Sequence, residues 1–306
     1  MSACGRKTEP KVHEASPSEY EKGDLERIES AAEETIKEIE IIEAAETIET
    51  PTEEITYLDP NGQDLASRIL VPEGYHRILA ETGSFLEYLR MFPVKEDGSP
   101  VLLYDGSEKW NQNAHVAVLG LPIENADLQQ CADSVMRIYA EYFLASGQAE
   151  RIAFHFTNGF EADYATWRAG RRIKVDGNQV YWVNSADYDD SYETFVKYMR
   201  MVFTYAGTLS MDGEADPISL DEIQPGDVFL KGGSPGHVVM VVDLCENEAG
   251  RKAFLLAQGY MPAQEFHLLK NPARAQDPWY YEEEIIFPFA TPEYVFGEGS
   301  LQRLNY

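Results

Sequence analysis

The chain has 306 residues, a formal net charge of −28 and 44% hydrophobic residues. That length buries a large core, in one big domain or two small ones. The acidic balance argues against nucleic acid, whose phosphates need Lys and Arg, and against anionic lipid surfaces.

The acidic excess is concentrated at the start. Residues 1–56 hold sixteen Asp/Glu against six Lys/Arg, and their single aromatic is Tyr20. Such a segment stays out of a packed core. Glu26–Ala45, rich in Glu, Ala and Ile, suggests a surface helix that ends at Thr50-Pro51-Thr52. The expected organisation is an acidic tether over 1–56 and a single α+β domain over 57–306.

Helical spacing follows at Thr82–Met91, and short strands are expected at Pro100–Tyr104 and Ala114–Gly120. Asp127–Ser146 is the clearest helix: Leu128, Cys131, Val135, Ile138 and Tyr142 form one apolar stripe, with Asp127 and Gln130 as a capping box. Strands are expected at Ile152–Phe156 and Val180–Val183. A second amphipathic helix is expected at Asp190–Tyr205, stopped by Gly207. Ile223–Gln258 then reads as three consecutive strands, followed by a Pro- and aromatic-rich tail through Trp279 and Pro288. Helices with mostly sequential strands indicate an α+β fold.

The three cysteines are Cys4, Cys131 and Cys245. They make no disulfide framework, no CxxC motif and no Cys/His cluster, so neither metal nor cofactor is expected. Cys131 sits about one turn into its helix, where backbone N–H groups and the helix dipole favour a thiolate. His237 opens the second strand of the final set and Gln258 ends the third. Symmetric pairing about Asn247–Glu248 would set the two directly opposite each other, on one face. A Gln carbonyl beside a His fixes the ring tautomer and turns its other nitrogen toward a nucleophile. Cys131, His237 and Gln258 are therefore the expected catalytic trio. The Cys131 backbone N–H, with Gln129 or Gln130, is the expected oxyanion site.

Each member also has a plainer reading. A cysteine on an apolar stripe suits a buried structural thiol, and a histidine opening a buried strand is commonly structural. Cys245 reads as structural, in a turn beside acidic residues. Asp227 reads as a turn cap, and Asp243 as too far along its strand to orient His237. His155 is expected to face solvent and His267 to lie on an edge strand. His115, Trp167, Trp182 and Trp279 are candidates for a substrate groove, with the core as their alternative place.

Three resemblances add to this. Met1-Ser2-Ala3-Cys4-Gly5 resembles the lipobox of bacterial lipoproteins, with Met1 in place of the usual Leu. It implies lipidation at Cys4, an upstream hydrophobic segment missing from the chain, and a place in the bacterial envelope facing periplasm or surface. The alternative is an ordinary disordered N-terminus. No apolar run is long enough to span a membrane, so the expected membrane contact is the lipid anchor alone.

PGDVFLKGGSPGHVVMVVD resembles the histidine-bearing hairpin of the NlpC/P60 cysteine peptidases. Their papain-like core carries a cysteine at a helix start, a histidine on a strand and a polar third residue on the next strand. That implies a helix bearing Cys131 packed on an antiparallel sheet, and cleavage of cell-wall peptides or related amides. Two departures stand: the cysteine lies in QQCAD rather than DCSG, and 106 residues separate it from His237, making 145–220 an insertion. DLQQCADSVMRIYAEYF, FVKYMRMVFTYAGTLS and LLAQGYMPAQEFHLLKNP, with the hairpin, resemble domain of unknown function 4846, a family of bacterial lipoproteins with no established activity. The expected function is an envelope-anchored cysteine hydrolase; the alternative is an inactive lipoprotein used for binding or assembly.

Overall fold

A computed structural model describes residues 56–306. The Cys4 lipidation site, the Glu26–Ala45 helix and nearly all of the acidic tether lie outside the described residues. Six α-helices are described: α1 (Leu65–Arg68), α2 (Phe85–Arg90), α3 (Cys131–Ala145), α4 (Tyr164–Arg168), α5 (Tyr192–Tyr205) and α6 (Thr208–Asp212). Nine strands make one sheet: β1 (Tyr75–Arg77), β2 (His115–Val118), β3 (Ala215–Pro217), β4 (Val228–Lys231), β5 (His237–Asn247), β6 (Lys252–Gln258), β7 (His267–Leu269), β8 (Tyr280–Tyr281) and β9 (Leu301–Leu304). Their order is β2-β7-β6-β5-β4-β9-β3, with β1 added to β5 and β8 to β6. Every pairing in this sheet is antiparallel, so the fold is α+β. Three further hairpins stand apart, including Phe289–Ala290 with Val295–Phe296.

The sheet has a core on each face because its central strands are apolar on both sides. Val238, Met240 and Val242 of β5 pack with Val135, Met136 and Ile138 of α3 and with α5. Val239, Val241 and Leu244 pack on the other side with Phe254, Phe289 and Phe296. Sheet positions alternate in this way because successive side chains point to opposite faces.

Element boundaries differ from the sequence pattern where caps decide them. The stripe predicts a helix from Asp127, but α3 begins at Cys131. Asp133 is the capping acid: its Oδ2 accepts from the Gln130 N–H at 3.0 Å. Asp127 instead accepts from Gln130 Nε2 at 3.0 Å and from the Ala263 N–H at 2.7 Å. Pro100–Tyr104 forms only isolated bridges, at Leu102 and Leu103. His267 lies in an inner strand between β2 and β6, not at an edge. Cys245 lies within β5 rather than in the turn.

The hairpin of β5 and β6 has a different register from the symmetric one. Phe254 pairs with Leu244 and Leu255 with Asp243, but Leu256 pairs with Val241 and Ala257 with Met240. Val242 is thus an extra, unpaired residue, a β-bulge. Continuing the inner register sets Gln258 opposite Val239, so His237 is its diagonal neighbour rather than its direct partner.

The bulge also turns Asp243 inward, where it is fully buried. Its carboxylate takes Arg77 Nε at 2.6 Å, Arg90 Nε at 2.8 Å and the Leu244 N–H at 2.8 Å. Removing one member of such a cluster leaves uncompensated buried charge. Asp243→Ala should therefore lose about 3–5 kcal/mol of stability, read as a lower urea midpoint with little change in slope.

Candidate active site

Cys131 is the first residue of α3 and is 7% exposed. It reaches the sheet where β6 leaves the ladder after Gln258. Gly259 permits that approach: a side chain there would meet Ser134 Oγ at 2.5 Å and the Gln130 carbonyl oxygen at 2.8 Å. The backbone N–H groups of Ala132, Val238 and Cys131 itself act on the sulfur. Val238 directly follows His237, so the thiol lies beside the start of β5. Cys131 and Val238, however, belong to the core on the helix side, whereas the His237 ring packs with Tyr294 and Phe296 on the other face of the sheet. On its other side, Cys131 borders a cleft of about 470 Å³, walled by Ala132, Asp133, Thr208, Leu209 and the loop Gly233–Gly236. That volume suits a small organic group or a short peptide segment.

His237 is 2% exposed and its ring is packed by Tyr260 at 4.7 Å, Tyr294 at 4.9 Å and Phe296 at 6.0 Å between centroids. Its Nε2 lies 2.7 Å from Gln258 Oε1. Among the described residues this is the ring's one side-chain hydrogen bond; none joins it to Cys131. The diagonal placement on a shared face is what lets the long Gln258 side chain reach it.

Gln258 is itself held from beyond. Its Nε2 donates to Glu293 Oε2 at 2.8 Å and lies 3.4 Å from His267 Nε2. Lys109 pairs with the same Glu293 oxygen and lies 3.4 Å from His267 Nε2. Asn111 Nδ2 donates to Glu293 Oε1 at 3.2 Å. His267 Nδ1 is 2.8 Å from the Glu265 carbonyl oxygen. Lys109, Glu293 and Tyr294 escape a sequence reading because they lie in loops far from the hairpin, with no periodicity around them. Tyr260 directly follows the end of β6, but nothing local shows that its ring meets His237.

The remaining candidates are placed differently. Gln129 is buried with Nε2 donating to the Pro122 carbonyl at 3.1 Å, and Gln130 Nε2 donates to Asp127 Oδ1 at 3.0 Å, so each amide already commits one of its two N–H donors to a neighbouring residue. Trp167 is core, its indole N–H donating to the Thr194 carbonyl at 3.2 Å. Trp279 is core likewise, donating to the Leu70 carbonyl at 2.9 Å. Trp182 packs on Phe160 from the hairpin Arg171–Asp176 with Gln179–Asn184. None of these tryptophans borders the Cys131 cleft, because burying a large apolar ring outweighs displaying it. His115 sits near Ser99 O at 3.1 Å and borders a separate cleft with Lys270 and Arg274. His155 is partly exposed and its Nδ1 meets Glu214 Oε1 at 2.7 Å. Among the described residues, no group of three or more His, Cys, Asp or Glu could hold a metal ion.

Burial controls the charges here. It pushes the Cys131 thiol up to about 11, helped by the Asp133 charge and opposed by the three N–H groups. Burial pushes Asp133 up to about 8 against the Gln130 and Asp133 N–H groups. Burial takes His237 down to about 4; the Gln258 hydrogen bond opposes this and the Lys109 charge adds to it. Thiol and imidazole are thus both neutral near pH 7, not the ion pair that the helix start alone suggests.

His237 has a consequence for acid stability. Its folded value of about 4 lies below the ordinary 6.5, so the unfolded chain binds more protons between them. The stabilising contribution is present above 6.5 and lost as pH falls through about 4. His237→Gln should flatten the decline of urea stability across that window; His267, also lowered by burial, keeps some slope. Asp133→Asn removes a charge that raises the thiol, so alkylation of Cys131 at mildly alkaline pH should accelerate. Each unit by which the thiol falls increases the thiolate fraction about tenfold.

Neither a curated protein nor a solved structure matches the chain. Residues 65–303, more than half of the sequence, match the family described as a domain of unknown function (4846). The chain belongs to that family.

Proposed function

We propose that this protein is a cysteine hydrolase, a peptidase or amidase, with Cys131 as nucleophile, His237 as base and Gln258 as the residue that orients His237. The observation that carries the reading is the meeting of a helix-start cysteine with a cleft and with the first peptide of the strand that bears His237. The likeness of the hairpin to NlpC/P60 peptidases supports it. α3 on the antiparallel sheet is then a papain-like core, and the segment between α3 and β4 is its insertion.

In this mechanism Cys131 Sγ attacks a substrate carbonyl carbon while its proton is relayed past the end of β5 to His237 Nδ1, whose ring lies on the other face of the sheet. Both groups start neutral, so the proton moves as the C–S bond forms. The developing oxyanion is received by backbone N–H groups of the first turn of α3. Collapse expels the amine, which takes the proton from His237. Water, activated by the same ring, then releases the acid from the thioester. The substrate is a cell-wall peptide or related amide, reached from the bacterial envelope through a lipid on Cys4.

A second reading is a binding or assembly module of the same envelope protein. An apolar cleft of about 470 Å³, walled by Tyr88, Met91, Phe92, Tyr142 and Tyr192, favours it, since ligand uptake there needs no thiol.

Digestion of muropeptides and of a small peptide-amide panel distinguishes the two. Turnover should vanish in Cys131→Ala, fall about 10²–10⁴-fold in His237→Ala and persist in Cys245→Ala. Turnover that survives Cys131→Ala sinks the hydrolase reading. Muropeptide binding unchanged by Cys131→Ala, with no turnover by the parent protein, supports the module.

A further inference from the structure

Among the described residues Glu293 is the one carboxylate that hydrogen-bonds Gln258, and it does so from a different part of the chain. It sits at the tip of the hairpin Phe289–Ala290 with Val295–Phe296, whose Tyr294 and Phe296 cover the His237 ring. Its side chain is 9% exposed and that of its partner Lys109 is 4% exposed. We propose that Glu293, charge-balanced by Lys109, is a positioning residue that selects the base-competent tautomer of His237 through Gln258. The proposal rests on the hydrolase reading for its purpose and on hydrogen-bond polarity for its content.

That polarity runs in one direction only. A lysine ammonium has donors and no acceptor, so the Glu293 oxygen it meets is an accepting carboxylate. Gln258 can approach that carboxylate only with its NH₂, as it does at 2.8 Å. The amide oxygen is then forced toward His237, 2.7 Å away. An amide oxygen only accepts, so His237 must carry its hydrogen on Nε2, and the lone pair is left on Nδ1. His267 agrees with the same ordering. Lys109 and the Gln258 NH₂ both face its Nε2 at 3.4 Å, which makes that nitrogen the acceptor, and Nδ1–H donates to the Glu265 carbonyl at 2.8 Å. A neutral residue in place of Glu293 weakens the asymmetry, since a side-chain amide can meet Gln258 with either end and only the more distant His267 Nε2, at 3.4 Å, still calls for the NH₂.

The experiment is nitrogen-15 NMR of the histidine side chains in the full chain, near pH 7. His237 should give the Nε2–H pattern and His267 the Nδ1–H pattern. Lys109→Met with Glu293→Gln, which removes both charges together, should shift His237 toward a mixture of tautomers while circular dichroism stays unchanged. Where hydrolysis is measured, kcat should fall on the order of 10- to 100-fold with KM nearly constant, and Glu293→Asp should recover part of it. A parent protein with His237 in the Nδ1–H form overturns the proposal without any variant having to fold. An unchanged His237 pattern in the folded double variant overturns it equally. The tautomer readout needs no turnover, so loss of the hydrolase reading leaves a separate result from loss of this one.

Discussion

One unpaired residue in β5 decides which side of the sheet each later side chain meets. Above Val242, Leu255 faces Asp243; below it, Leu256 faces Val241. Had the outer register continued, Gln258 would oppose Met240 and point toward α3, away from His237. The bulge reverses that parity and brings Gln258 Oε1 to His237 Nε2. It also turns Asp243 to the helix side, where Arg77 and Arg90 both bond it. The buried ion cluster and the His237–Gln258 contact are thus two outcomes of the same irregularity.

The second constraint is the end of that ladder. β6 stops at Gln258, and the missing side chain at Gly259 admits the first turn of α3. Cys131 is therefore fixed by close backbone approach rather than by a bond to His237. Its surroundings are dry enough that burial outweighs three favourable N–H groups, so the thiol stays protonated. The same burial keeps His237 neutral. Under the proposed hydrolase reading, the proton therefore moves during attack rather than before it.

The polar residues come from four separate stretches: Lys109 in a loop before β2, Cys131 on α3, His237 and Gln258 on the central hairpin, and Glu293 on the last hairpin. Buried charge needs paired charge, and Lys109 with Glu293 meets that requirement while ordering the amide between them. The aromatic side chains of the last hairpin shield this network from water. What reads in the sequence as a Pro- and aromatic-rich tail is a cover for His237.

Local pattern was enough for some of this. Helical stripes located α3 and α5, apolar runs located β5 and β6, and residue chemistry singled out Cys131, His237 and Gln258. These depend on spacing and side-chain type, which a linear chain carries in full. The side-chain meeting of His237 and Gln258 was anticipated for the wrong register, because a bulge has no period to read. The start of α3 was misplaced because Asp127 and Asp133 are both capping acids on paper, and only the contact of Asp127 with Ala263 separates them. Trp167 and Trp279 went to the core because burial of their rings depends on neighbours supplied by distant segments. Composition, periodicity and reactive residue types were thus determined by the sequence alone. The shared face of His237 and Gln258, the neutral state of the thiol and the roles open to Lys109 and Glu293 were decided by tertiary structure, since register, desolvation and ion pairing exist only once remote segments meet.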